Sequence, residues 1–166
     1  AEATSARPPA HAAMAAREDA QAEAAACKDR GNRRFKARDD AGAVRCYADG
    51  LGLLQAAGVD AAGCGLTAAL HANSAQALLR QRRWLECIEH CTAALRSDPA
   101  HVKAAWRGAT AAMEAQMHDV AVSFVEGALE ADPGCAELLE LRRKLGPLPD
   151  GPDARPPGGG DSSDED

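Results

Sequence analysis

Apolar residues recur three and four positions apart along most of the chain, and glycine, proline or aspartate interrupts them at intervals. That spacing places the apolar side chains on one stripe of a helix. It predicts a first helix over 18–38 and a second running from a cap at Asp39-Asp40 to about Ala57. Gly58, Gly63 and Gly65 mark a loop over 58–65. A third helix is predicted over 66–82 and a fourth over 83–96, ended by Asp98-Pro99. A fifth covers 100–116, and a sixth covers 119–131, ended by Asp132-Pro133. A seventh covers 134–145. Both stops rest on the steric exclusion of helical geometry from the residue before a proline. Residues 1–17, with adjacent Pro8 and Pro9, read as a disordered arm. Residues 146–166, rich in Pro, Gly, Asp and Ser, read as a disordered acidic tail.

The breaks are periodic. Asp98-Pro99 returns as Asp132-Pro133, a spacing of 34, and Ala94 and Cys87 return at the same spacing as Ala128 and Ala121. An earlier copy, Ala43, Tyr47 and Gly50, maps onto Cys87, Cys91 and Ala94 at a spacing of 44, the excess falling in the glycine-rich loop. Helix pairs with this period, small residues where the helices cross and proline at the repeat end resemble the tetratricopeptide repeat. The expected fold is all-α: a right-handed superhelix of three helix-turn-helix pairs with a C-terminal capping helix, occupying residues 18–145. Ala43, Gly50, Ala75, Cys87, Ala94, Ala109, Ala121 and Ala128 are expected at the close crossings. Phe35, Tyr47, Leu78, Trp84 and Phe124 are expected to fill the space between repeats. The last pair leaves an apolar face bare, and Leu138, Leu139, Leu141 and Leu145 are expected to cover it, with Glu137, Glu140, Arg142, Arg143 and Lys144 facing water.

Composition agrees with closely packed helices. Hydrophobic residues make up 46% of the 166 positions but aromatics only 3%, the balance being largely alanine, the best helix former. Net charge is −6, and from Asp150 onward six acids face only Arg155, so the tail carries −5 of it. The helical region is nearly neutral and has no basic field suited to nucleic acid. The six cysteines form no CxxC pair and no secretory segment precedes them, so free buried thiols are preferred over disulfides. No apolar run is long enough to span a membrane. The arm has only Arg7 and Arg17 against Glu2, which argues against a transit peptide.

Stacked helix pairs form a groove walled by the first helix of each pair, so polar residues on those helices are where function is expected. Lys28 and Asn32 lie four apart on the first helix, Asn73 lies on the third, and Lys103 and Arg107 lie four apart on the fifth. Two cation-bearing helices with amide donors between them suit two closely spaced carboxylates, which the chain end of an Asp-terminated peptide supplies. The run Lys28-Asp29-Arg30-Gly31-Asn32-Arg33-Arg34-Phe35 resembles the K-x-x-G-N-x-x-F opening of carboxylate-clamp tetratricopeptide domains. Asn73 within His71-Ala72-Asn73-Ser74, and Lys103-Ala104-Ala105-Trp106-Arg107, resemble the family's second and third clamp segments. The wider run His101 to Ala109 is similar to the tetratricopeptide repeat protein 4 family of co-chaperones, with myosin-folding chaperones a second candidate. The resemblance implies that Lys28, Asn32, Asn73, Lys103 and Arg107 bind the carboxylates, with Phe35, Gln76 and Thr110 lining the groove. It implies as partner the acidic C-terminal peptide of heat-shock protein 90 or heat-shock protein 70, with a client protein as a further partner.

Trp106 is expected to pack in the core rather than meet a ligand. Cys87, His90 and Cys91 are spaced for a metal, but both cysteines fall at core positions, and neither metal nor cofactor is expected. His11, His71, His90, His101 and His118 pair with no nucleophile, so no catalysis is expected. Ser162 and Ser163 are candidate phosphorylation sites, and the acidic end at Asp166 could occupy the clamp in cis. The expectation is a monomeric adaptor of the cytoplasm, with the nucleus a second compartment. The competing reading is a scaffold that binds an unrelated peptide in the same groove.

Overall fold

The computed structural model describes residues 10–60 and 64–146, and they form seven α-helices with no strand. These are α1 (Ala10–Lys36), α2 (Asp40–Ala56), α3 (Gly65–Arg80), α4 (Trp84–Ser97), α5 (Val102–Glu114), α6 (His118–Ala131) and α7 (Ala136–Leu145). Each helix packs on the next, and α1, α3, α5 and α7 also adjoin one another in that order. The odd-numbered helices therefore form one continuous wall. The expected arm at 1–17 and tail at 146–166 lie mostly outside the described residues. Where they are described, helix α1 begins at Ala10 rather than near Glu18. Ala12, Ala13, Ala15 and Ala16 explain this, since alanine sustains a helix on propensity alone, and no side chain over 11–23 is buried.

The turn inside each pair has the same construction. Arg38, Arg82 and Gln116 adopt left-handed φ of 64°, 58° and 60°. The following N–H donates back five residues: Asp39 to the Arg34 carbonyl at 3.0 Å, Arg83 to Leu78 at 3.0 Å, and Met117 to Ala112 at 2.8 Å. This is a Schellman closure, which satisfies carbonyls orphaned at the helix end. Gly58 (φ 63°) closes α2 likewise, with Val59 N–H donating to Leu54 at 3.0 Å. These closures pull the ends of α3 and α5 two residues short of the predicted boundaries. Between pairs, Asp98 Oδ1 accepts from Ala100 N–H at 3.2 Å and Asp132 Oδ1 from Gly134 N–H at 3.3 Å. Proline thus ends α4 and α6, and an aspartate turn redirects the chain after each.

The core follows the repeat register. Tyr47, Leu70 and Leu54 anchor the first part, and Leu78, Cys87, Cys91, Val122, Val125 and Leu138 the second, all buried. A methyl group at Gly31 would overlap the buried ring of Tyr47. A Cβ at Gly108 would lie 2.7 Å from Phe124. In α7, Leu138 and Leu145 are buried and Leu141 is half-buried, so the lid forms as expected. Leu139 is 49% exposed instead, because α7 is amphipathic and only one stripe of it meets α5 and α6. Arg142 Nε pairs with Glu126 Oε1 at 3.0 Å and ties the lid to α6. All six cysteines are free thiols. No helix among the described residues is long and apolar enough to cross a membrane.

Candidate peptide-binding groove

The four odd-numbered helices put the candidate residues on a shared wall. Asn32 on α1 and Asn73 on α3 meet directly, with Asn73 Nδ2 donating to Asn32 Oδ1 at 3.1 Å. The same oxygen accepts from the Tyr47 hydroxyl of α2 at 2.9 Å. Burial pushes the Tyr47 phenol up to about 12, so it stays protonated and remains a donor. With its oxygen doubly occupied, Asn32 has its amide hydrogens left for a ligand. Lys28, one turn earlier on the same face, is half-buried. Among the described residues no hydrogen bond joins it to either asparagine.

Arg107 on α5 reaches back across α3. Its Nη1 donates to the Ala72 carbonyl at 2.7 Å and its Nη2 to Gln76 Oε1 at 2.9 Å. The guanidinium therefore sits one residue from Asn73. Desolvation by burial lowers its affinity for its proton, while Cys91, Cys87 and Tyr47 act the other way. Among the described residues no carboxylate pairs with Arg107 or with Lys103. Lys103, Arg107, Gln76, Val102, Trp106 and Glu137 line one cleft of about 610 Å³ between α3, α5 and α7. Arg107 is partly buried and Lys103 exposed, and a partly desolvated guanidinium with a second cation beside it favours an anionic occupant. A mainly apolar cleft of about 370 Å³ lies elsewhere, between α4 and α6, and holds none of the candidate residues.

Several positions differ from expectation. Trp106 is 47% exposed and lines the cleft, because its neighbours Ala104 and Ala105 already fill the core stripe of α5. Thr110 donates its hydroxyl to the Trp106 carbonyl at 2.8 Å. Phe35 is half-buried beneath Arg80, whose guanidinium carbon lies 3.8 Å from the ring centroid. Arg80 also holds Asp40 and the Phe35 carbonyl, so the phenyl ring serves the join between α1 and α3. Glu137 is exposed, as expected of the water side of the lid, and stands at the edge of the open cleft. The hydroxyl of Tyr47 went unread in the sequence; its signal is that a tyrosine at a core position needs a polar partner.

His71 on α3 and His90 on α4 face each other, Nδ1 to Nδ1 at 3.0 Å, one residue away from the Ala72 carbonyl that holds Arg107. One ring must donate and the other accept. Burial, with His90 adding repulsion, holds His71 down to about 4. Burial lowers His90 too, against Glu89 and Glu86, which raise it. Among the described residues no group of three or more His, Cys, Asp or Glu is arranged to hold a metal ion.

Three helix pairs in register, closed by a lid, with a polar groove on the first-helix wall, define a tetratricopeptide-repeat protein. No family model matches the sequence. Among curated proteins it is similar to tetratricopeptide repeat protein 4, at 34% identity over 121 residues for both the Bos taurus and the Homo sapiens proteins. The match takes in 73% of this chain but only 30% of theirs, so the chain spans under a third of the length of these relatives. Among solved structures it is similar to the second TPR of Spaghetti (RPAP3) bound to the HSP90 peptide SRMEEVD. The TM-score is 0.62 with 29% identity, covering 74% of this chain and 97% of that one. It is also similar to the second TPR domain of human RPAP3 in complex with the HSP70 peptide SGPTIEEVD. There the TM-score is 0.61 with 28% identity, covering 78% and 97%. The Hsp90 co-chaperone Cns1 from Saccharomyces cerevisiae matches at TM-score 0.62 and 27% identity, over 74% of this chain and 38% of that one.

Proposed function

We propose that this groove binds the acidic, Asp-ending C-terminal peptide of heat-shock protein 90 or heat-shock protein 70, making the chain a co-chaperone adaptor rather than an enzyme. The observation that carries the reading is the unmatched charge. Arg107 and Lys103 share a cleft without a carboxylate partner, beside an Asn32–Asn73 pair already oriented by Tyr47. In this reading Lys103 and Arg107 pair with the peptide's terminal and side-chain carboxylates, and Asn32 and Asn73 donate neutral hydrogen bonds. Lys28 adds a third cation from the turn before Asn32. The two RPAP3 domains, at 28% and 29% identity, were solved with such peptides, which supports the assignment.

The test is calorimetric titration of SRMEEVD and SGPTIEEVD into the full chain and into Lys103→Glu and Arg107→Ala variants. Binding near the micromolar range, about −8 kcal/mol, is expected for the native chain and is expected to vanish in both variants while helical circular dichroism persists. Amidating the peptide's C-terminus removes one of the two clustered charges and should abolish binding as well. A groove that holds the amidated peptide equally well is a scaffold for some other sequence.

A further inference from the structure

We infer that Trp106 and Val102 form an apolar shelf that takes the valine next to the ligand's terminal aspartate, so that the groove selects acid-ended tails with an apolar penultimate side chain. The inference rests on the clamp reading above and adds to it a contact for a side chain that carries no charge. Val102, Lys103, Trp106 and Arg107 all belong to α5 and all line one cleft. Positions four apart on a helix stand one above the other, so these residues make two parallel rows: Lys103 with Arg107, and Val102 with Trp106. The rows are neighbours, because Lys103 and Trp106 are three apart, about 5–6 Å between Cβ atoms. Val102 is half-buried and packs on the core, whereas Trp106 is 47% exposed.

Single apolar residues on a surface carry no message, and Leu85, Met113, Met117 and Leu139 are exposed without lining this cleft. Trp106 differs from them in standing beside two cations, neither of which it occupies. Among the described residues the cation stacked on an aromatic ring is Arg80 on Phe35. Arg107 instead directs its donors to the Ala72 carbonyl and to Gln76. The ligand supplies one group that matches such a ring. SRMEEVD and SGPTIEEVD end in the same four residues, and valine is the sole apolar one among them. It is joined directly to the aspartate whose carboxylates the cations hold. Successive Cα atoms lie about 3.8 Å apart, within reach of the distance between the two rows. The contact therefore follows from the position of the last two residues and needs no register further up the chain.

The test is a cycle of two proteins and two peptides, read by calorimetric titration. The native chain and Trp106→Ala are titrated with SRMEEVD and with the same peptide carrying alanine in place of valine. A control peptide carries alanine in place of methionine. Each protein is scored by the ratio of its peptide affinities, so a change in folded fraction cancels. Loss of the valine's two outer carbons should weaken the native chain about fourfold, as expected when they are half removed from water, and Trp106→Ala by less than about twofold. Loss of the methionine should weaken both proteins equally. Saturating SRMEEVD should also move the indole emission of the native chain to shorter wavelength, as an apolar side chain replaces water on the ring. The emission of Trp106→Ala comes from Trp84 alone and should stay where it is. Equal valine dependence in the two proteins, none in either, a methionine dependence confined to the native chain, or an unmoved native emission overturns the inference. Lys103→Glu separates the two levels: if it abolishes binding of SRMEEVD while the cycle is flat, only the role of Trp106 fails. If it leaves binding intact, the clamp itself fails.

Discussion

Adding a single methyl group at Gly31 and at Gly52 should move stability in opposite directions. Both glycines lie inside helices, where alanine is favoured by about 1 kcal/mol. A Cβ at Gly52 meets nothing within 4 Å, so Gly52→Ala should stabilise by roughly that amount. A Cβ at Gly31 runs into the Tyr47 ring, which is buried and cannot swing aside. Gly31→Ala should therefore cost about 1–3 kcal/mol, read by urea unfolding. It should also weaken peptide binding, because the displaced ring carries the hydroxyl that holds Asn32. Tyr47→Phe isolates that second effect: it keeps the packing and should cost about 1 kcal/mol. Four-residue spacing and the repeat register place Lys28, Asn32, Asn73, Lys103 and Arg107 on the odd-numbered helices, and the wall those helices form was legible for that reason. Trp106 was not, since a few degrees of helix rotation decide whether a position at the edge of the apolar stripe faces core or groove. That rotation depends on how α5 and α7 pack, which no local pattern encodes.

The turns and the histidine pair show what the elements add. A left-handed residue other than glycine costs on the order of 1 kcal/mol, and among the described residues Arg82 and Gln116 make no side-chain hydrogen bond in compensation. Arg82→Gly and Gln116→Gly should each raise stability by about that amount, and unchanged midpoints would argue that the exposed side chains help in some other way. Helix existence was readable from periodicity and from Asp-Pro stops, but these turn residues were not, because arginine and glutamine lack glycine's signal. The His71–His90 pair links α3 to α4. With His71 held down to about 4 from an ordinary 6.5, the folded chain binds fewer protons than the unfolded chain across that interval. The pair's contribution is thus complete above about pH 6.5 and is lost as pH falls toward 4, a change on the order of 2 kcal/mol. Replacing both rings by asparagine should flatten unfolding free energy against pH over this range.

In the molecule as a whole, stability is passed along from neighbour to neighbour. A stacked array has no central core, so each pair is stable to the extent that the next one covers it. The chain ends this series with α7, and Leu138 is the side chain most deeply inserted, fully buried against the cluster that includes Val122 and Val125. Leu138→Ala should cost about 2–5 kcal/mol through the lost contacts and the cavity left behind. The loss should also be uneven. Amide protection should fall first in α7 and then in α6 and α5, while α1 and α2, joined to the rest through Arg80, Asp40 and Tyr47, keep most of theirs. The groove spans this gradient, with Asn32 and Asn73 at the retained end and Lys103, Arg107 and Glu137 toward the weakened one. A peptide that bridges both ends stabilises the folded array by mass action. Saturating SRMEEVD should therefore restore protection in α5 of Leu138→Ala, because only the closed wall offers both halves of the site. If Leu138→Ala instead loses protection evenly from α1 to α7, the array unfolds as one cooperative block and the lid is simply part of a single core.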